Sequence, residues 1–126
     1  MERFLWVCLA GALGTGTRYL VSEWSNRAFG QAFPVGTLIV NVVGCFAIAL
    51  VMFLALETAL VSPTLRVVLT TGFMGGLTTY SAFNYETTKL LQARAYGTAA
   101  LSFSLTTGLC LLAGFLGFVV ARRFAN

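Results

Sequence analysis

The chain has 126 residues, of which 58% are hydrophobic and only 10% are charged, and its formal net charge is +4. A soluble domain carries about 25% charged residues, so eight basic and four acidic side chains cannot cover the surface of a soluble monomer of this length. Histidine and aspartate are both absent, which excludes hydrolases built on either residue. The composition indicates a membrane protein that is not an enzyme and binds no nucleic acid.

Four apolar segments follow one another along the chain, separated by short polar connections. A helix needs about 20 apolar residues to cross the hydrocarbon core of a bilayer. Glycine and proline mark the connections, at residues 26–34, 62–64 and 92–97. We predict an all-α membrane protein with a single four-helix transmembrane domain over residues 1–126, whose spans lie at approximately residues 3–25, 34–60, 64–91 and 96–122.

The first apolar segment contains a basic residue, Arg18, near one end. Its guanidinium can reach the membrane interface along the aliphatic stem. Alternatively, Arg18 forms a structural ion pair or lies at a pore mouth, with Glu23 and Glu86 as the candidate partners.

Basic residues are divided almost evenly between the two sides of a four-span protein. One side holds Arg3, Arg66, Arg122 and Arg123, and the other holds Arg18, Arg27, Lys89 and Arg94. Orientation normally follows an excess of Lys and Arg in the cytoplasmic loops, and here that excess is absent. Either other features orient the helix bundle, or the chain inserts both ways and forms an antiparallel homodimer. Four short helices bury little surface alone, which favours an oligomer.

The third segment has the composition of a helix with a break. Its sequence Gly75-Gly76-Leu77-Thr78-Thr79 places adjacent glycines before two β-branched hydroxyl residues near the middle of the predicted span. Each glycine costs a helix interior about 1 kcal/mol relative to alanine. A break would free backbone carbonyls, which hydrocarbon tolerates only where protein or an ion satisfies them. Close helix packing through these glycines is the alternative.

Several side chains within the spans are weak hydrogen-bond donors suited to a small anion. Asn41 is the one amide in the second span, and it either bonds between helices or faces a pore. In the fourth span, Ser102 and Thr106 share a helix face with Cys110, at spacings i, i+4 and i+8. Tyr80 and Phe83 also face together, and aromatic ring edges carry partial positive charge, although packing is the usual role of such rings.

Acidic and thiol groups argue against two other kinds of function. All four glutamates lie near the ends of predicted spans, whereas proton-coupled transport usually requires a buried carboxylate. Small multidrug-resistance transporters need a glutamate deep in the first helix, which this chain lacks. Its three cysteines, Cys8, Cys45 and Cys110, have no C-x-x-C spacing, so packing is their expected role, although Cys110 could instead line the polar stripe of the fourth span.

Three of the four segments carry motifs of a known family. They read GALGTGTRY at residues 11–19, GTLIVNVVG at residues 36–44 and GFMGGLTTYSAF at residues 72–83. This pattern resembles the Fluc fluoride channels, also called CrcB, and the third motif is the most specific. The resemblance implies a multi-pass protein of the bacterial plasma (inner) membrane that exports cytoplasmic fluoride passively. It also implies an antiparallel, dual-topology homodimer with two pores.

The resemblance implies a set of site residues as well. A structural sodium ion (Na+) at the dimer centre is held by the backbone carbonyls of Gly75 and Thr78. Asn41 donates to fluoride and Phe83 offers its ring edge. We expect the remaining fluoride pathway to include Thr37, Tyr80, Ser81, Ser102 and Thr106.

The chain departs from the family pattern at two positions. Where the family has Thr-Thr-Phe-Ser-Thr/Ser-Phe, this chain has Tyr80 and Ala82. The Tyr80 hydroxyl either donates to the anion or obstructs it, and these departures affect the expected conduction rate but not the fold. The competing hypotheses are a cation-binding protein built on the helix break and an accessory structural subunit without anion conduction. Neither explains aligned donors combined with the absence of central acidic residues.

Overall fold

The computed structural model describes residues 1–126, and all of its regular secondary structure is helical. The helices, in chain order, are α1 (Glu2–Phe29), α2 (Val35–Glu57), α3 (residues 63–77), α4 (Tyr80–Gln92) and α5 (Tyr96–Ala125). Helix makes up 87% of the chain and no strand is present, which confirms the all-α prediction.

Three of these helices, α1, α2 and α5, are long and apolar enough to cross a membrane. Only 6% of the most apolar stretch of α1, and 17% of those of α2 and α5, is buried within the single chain. Such exposed apolar faces are stable against lipid or another membrane helix but not against water. The chain is therefore a multi-pass membrane protein, and α3 and α4 together occupy the residues predicted as the third span.

The first helix is longer than the sequence predicted. The connection expected at residues 26–34 begins only at Gly30, because α1 continues through Phe29. Gly30 has a φ of 76°, in the left-handed region, and its N–H donates to the Asn26 carbonyl. Residues 26–29 tolerate helical geometry, so α1 ends only at Gly30, where glycine permits the left-handed conformation. The loop is confined to residues 30–34.

The third helix changes its winding along its length. It consists of Pro63–Val67, a π-helical stretch Val68–Met74 and a final short part, Gly75–Leu77, with no gap between them. At its start, the Ser62 hydroxyl accepts a hydrogen bond from the Leu65 N–H, which caps the helix.

Two residues of extended backbone, Thr78 and Thr79, separate α3 from α4. Thr78 has φ −85° and ψ 157°, and Thr79 has φ −155° and ψ 116°. Thr79 is also the N-cap of α4, because its hydroxyl accepts a hydrogen bond from the Ala82 N–H at 3.1 Å. A side-chain cap of this kind satisfies an amide that has no partner inside the helix.

Glycines bring the helices together at two close crossings. Between α1 and α3, a Cβ on Gly14 would overlap the Phe73 carbonyl oxygen, and a Cβ on Gly76 would overlap that of Gly11. Between α2 and α5, a Cβ on Gly117 would overlap a carbonyl oxygen of α2. Small residues allow backbones to approach in this way, so these glycines serve helix packing. Gly75 is different, since its nearest neighbour would be 3.7 Å away.

Candidate functional site

A cavity of about 360 Å³ lies where α2, the Thr78–Thr79 interruption, α4 and α5 meet. Its lining combines one amide with hydroxyls, thiols, aromatic rings and aliphatic carbon, from Asn41, Cys45, Thr78, Thr79, Tyr80, Phe83, Thr106, Thr107, Cys110 and Leu111. No carboxylate and no basic side chain lines it. An anion inside would therefore meet hydrogen-bond donors without repulsion by a like charge or retention by a fixed opposite one.

Asn41 links α2 to the interruption between α3 and α4. Its Nδ2 donates to the Thr79 carbonyl oxygen at 3.1 Å, and its Oδ1 accepts from the Thr79 N–H at 2.8 Å. The side chain thus satisfies both backbone groups of a residue that has left the helical pattern. Because an amide has two N–H donors, Asn41 retains one for another acceptor. The two interpretations of Asn41, inter-helical bond and cavity-facing donor, are compatible in one geometry.

At the interruption, the carbonyls of Gly75 and Thr78 do not receive the N–H groups that would bond to them in a continuous helix. In an α-helix, each carbonyl accepts from the N–H four residues later. For Gly75 that N–H belongs to Thr79 and donates to Asn41 instead. For Thr78 it belongs to Ala82 and donates to the Thr79 hydroxyl. Both carbonyls, the ones expected to hold sodium, therefore lack their usual helical donors.

Arg18 contacts the end of α3. Its Nε donates to the Gly76 carbonyl oxygen at 3.0 Å. The carboxylate pairings considered from the sequence are not formed, because Glu23 lies beside Arg27 and Glu86 accepts a bond from Thr37. A cation at a helix C-terminus is favourable since the last carbonyls carry partial negative charge. The partner of Arg18 is thus a backbone carbonyl, on which local sequence gives no information.

Thr37 lies outside the cavity, one helical turn before Asn41. Its hydroxyl donates to Oε1 of Glu86 at 2.8 Å, while Oε2 of Glu86 is buried without a partner. A hydroxyl has a single hydrogen, so this bond occupies the donor that an anion would need. Glu86 also lines a second cavity of about 360 Å³, which Lys89 and the α1–α2 loop complete.

The predicted hydroxyl residues have different environments. Thr106 lines the first cavity, whereas Ser102, one turn earlier on α5, is fully buried and its Oγ has no hydrogen-bond partner. Ser81 lies outside the cavity, with its hydroxyl 3.3 Å from that of Thr79.

The two predicted aromatic residues both line the cavity. Their ring centroids are 5.8 Å apart with the planes inclined at 62°, so the edge of one ring meets the face of the other. Phe83 is buried and also stacks on Phe103 at 6.1 Å, whereas Tyr80 is 80% exposed in the single chain. Phe83 is thus packed within the chain, while most of the Tyr80 surface is available to a neighbour outside the chain.

Five cavity residues were not among the predicted site residues: Cys45, Thr79, Thr107, Cys110 and Leu111. One signal was present in the sequence, because Thr37, Asn41 and Cys45 repeat on α2 the i, i+4, i+8 spacing of the α5 stripe. The role of Thr79 had no such signal, since it depends on Asn41, 38 positions away.

The helices and the donor-lined cavity together define a multi-pass membrane protein of the channel or transporter class. A family model described as "CrcB-like protein, Camphor Resistance (CrcB)" matches residues 5–118. The chain belongs to this family, which confirms the resemblance seen in its sequence.

Relatives named "Fluoride-specific ion channel FluC" match almost the whole chain. The protein from Sorangium cellulosum (strain So ce56) is 50% identical over 123 residues, covering 98% of this chain and 97% of that protein. The protein from Anaeromyxobacter sp. (strain K) is 49% identical over the full length of both chains. That from Geotalea uraniireducens (strain Rf4) is 47% identical over 122 residues. These names describe channels, which confirms the prediction that the chain is not an enzyme.

Proposed function

We propose that this protein is a fluoride-specific ion channel through which cytoplasmic fluoride leaves the cell passively. The observation that carries the proposal is a family match over nearly the whole chain combined with a cavity lined by donors but by no charge. Fluoride is small and strongly hydrated, so a selective path must replace its water with other donors. Weak donors in series admit the ion without retaining it.

The pathway we propose passes through the cavity. Asn41 offers its second N–H, Thr106 offers a hydroxyl, and the rings of Tyr80 and Phe83 offer their edges. The absence of an acidic side chain from the lining favours passive flow over proton coupling.

The same helix faces continue beyond the cavity. Thr37 precedes Asn41 by one turn on α2, and Ser102 precedes Thr106 by one turn on α5, so both extend the line of polar groups. Thr37 belongs to the proposed pathway through this position on α2, while its hydroxyl hydrogen is bonded to Glu86 in the structure. Ser81, whose hydroxyl lies beside that of Thr79 at the start of α4, is the last residue of the proposed pathway.

We further propose that α3 and α4 form one membrane crossing, broken near its middle at Thr78 and Thr79. With α1, α2 and α5 this gives one domain of four spans in the bacterial inner membrane. The near-equal division of basic residues and the exposed apolar helix faces support an antiparallel homodimer with two pathways.

A structural sodium ion fits the proposed dimer. The carbonyls of Gly75 and Thr78 have lost their helical donors, and unwound backbone carbonyls are ligands that sodium accepts. A two-fold axis would bring the same two carbonyls from the second subunit, so each chain supplies half of the site. When bound, the ion supplies fixed positive charge close to Thr78, which also lines the cavity.

Growth in fluoride tests the proposal in cells. A bacterial strain lacking its own fluoride channel is expected to grow in fluoride medium when it produces this protein. The Asn41→Asp variant, present in the membrane at the same level, should not restore growth. If the unaltered protein reaches the membrane and gives no protection, the accessory-subunit hypothesis gains over the channel.

A further inference from the structure

Two cysteines line the cavity and have no part in the proposed fluoride pathway. Cys45 lies on α2 and Cys110 on α5, and both are partly exposed. Their side chains line one cavity, on helices that pack directly against each other. The remaining cysteine, Cys8, is exposed on α1 and does not line this cavity.

Helices α2 and α5 approach each other closely beside these cysteines. A Cβ on Gly114, one turn after Cys110, would lie only 3.8 Å from the Cys45 carbonyl oxygen. Cys45 follows Asn41 by one turn on α2, and Cys110 follows Thr106 by one turn on α5. Each cysteine thus follows a polar residue of its own helix by one turn, and all four of these residues line the same cavity.

We propose that Cys45 and Cys110 together bind a single soft, thiophilic metal ion of the class Cu(I), Ag(I) or Hg(II). Thiolates select soft ions, and ions of this class accept two sulfur ligands in a nearly linear arrangement. No three His, Cys, Asp or Glu side chains lie close enough together to hold a metal ion, so the four ligands of a structural zinc site are missing. Binding forms two metal–sulfur bonds and releases the two thiol protons.

An ion at this position would occupy the cavity one turn away from Asn41 and Thr106. We expect the bound ion to stop fluoride movement, because it fills the cavity and its bonds to the two cysteine sulfurs exchange more slowly than water does. This consequence rests on the proposed function, whereas the binding itself does not.

A competition titration tests the binding. Purified Cys8→Ala protein, freshly reduced and desalted, is titrated with mercuric nitrate against glutathione, and the mass of the protein and thiolate–mercury absorbance are followed. We expect a single bound ion per chain. Cys45→Ala and Cys110→Ala, each in the same background, should bind mercury roughly 100-fold more weakly, because each variant keeps only one of the two thiols that hold the ion together. Equal affinity in either single-thiol variant, with the helical circular-dichroism spectrum retained, would overturn the site.

Fluoride efflux from liposomes tests the consequence. The Cys8→Ala channel should stop conducting on addition of mercuric nitrate and recover with dithiothreitol, while Cys45→Ala and Cys110→Ala keep conducting. Continued efflux from a channel shown by mass to hold mercury would overturn the blocking effect. If the protein conducts no fluoride before metal is added, the proposed function fails, and the titration alone then decides the metal site.

Discussion

In the proposed pathway, Asn41 combines a structural and a functional role in one side chain. It holds both backbone groups of Thr79 while keeping an N–H free at the cavity. Backbone groups released from a helix within hydrocarbon need such a partner, because no water is present to replace it. An amide is suited to the position, since it provides a donor and an acceptor without charge.

Replacing Asn41 by aspartate should abolish fluoride efflux while the protein still assembles as a dimer. The carboxylate puts negative charge in the pathway and sets an oxygen against the Thr79 carbonyl, where a donor now lies. Loss of that buried hydrogen bond should lower stability by about 1–3 kcal/mol. Electrode measurements on liposomes and thermal unfolding in detergent give the two results. Asn126→Asp, the same chemical change at the exposed C-terminus, is the matched control, and efflux that persists in Asn41→Asp removes Asn41 from the pathway.

Tyr80→Phe should leave fluoride efflux unchanged or raise it. The Tyr80 ring is 80% exposed in the single chain, so removing its hydroxyl creates no buried gap, and stability should stay within about 0.5 kcal/mol. The ring edge that is proposed to face the anion is retained. Initial efflux rates are compared with those of Tyr19→Phe, an exposed tyrosine on α1. A large fall in Tyr80→Phe alone would show that the hydroxyl is a working ligand.

At the scale of the helices, the contact between α1 and α3 depends on the absence of side chains. Gly14→Ala places a methyl group against the Phe73 carbonyl, so the two backbones must separate. We expect a loss of several kcal/mol or failure to fold, in the upper range for a single substitution. Gly16→Ala is the matched control on the same helix, because nothing lies within 4 Å of its added Cβ. Thermal unfolding of both variants is the measurement, and similar losses in both would contradict this packing.

Hydropathy was sufficient to predict an all-helical chain, but not where its helices end: α2 ends at Glu57, before the predicted residue 60, and α5 continues to Ala125, beyond the predicted residue 122. It failed at the end of α1, where residues 26–29 look like a loop but nothing stops the helix before Gly30. It also gave no indication of the π-helical stretch Val68–Met74, whose residues have no distinctive periodicity. Gly76 packs against α1, and the extended backbone lies after it, at Thr78 and Thr79. That interruption depends on a hydrogen-bonding partner on another helix, which local sequence cannot reveal.

The candidate site was predictable to the extent that its residues have a recognisable chemical type. Asn41, Tyr80, Phe83 and Thr106 attract attention as polar or aromatic groups within apolar spans, and they meet in one cavity. Cys45 looks like a packing residue, and its position in the cavity emerges only when α2 and α5 are placed together. The hydrogen bond from Thr37 to Glu86 likewise joins two residues that lie 49 positions apart in sequence.

At the scale of the whole molecule, an antiparallel dimer requires that the chain insert in both orientations. In a variant with its native cysteines replaced by alanine and a single Gln31→Cys, a membrane-impermeant maleimide should label about half of the chains in intact cells. Arg27→Gln combined with Arg94→Gln removes positive charge from that side. The resulting chains should be labelled almost completely and export less fluoride, because antiparallel partners become scarce. Labelling from one side only in the parent would contradict dual topology.

The most direct measurement is ion efflux from liposomes that contain the purified protein, with fluoride and chloride followed by ion-selective electrodes. A fluoride-specific channel predicts rapid fluoride efflux and negligible chloride efflux under the same gradient. The variant carrying Tyr80→Phe and Ala82→Thr, which restores the family pattern, shows whether these two residues set the rate. Absence of fluoride efflux from both folded proteins, or equal efflux of the two anions, would contradict the proposed function.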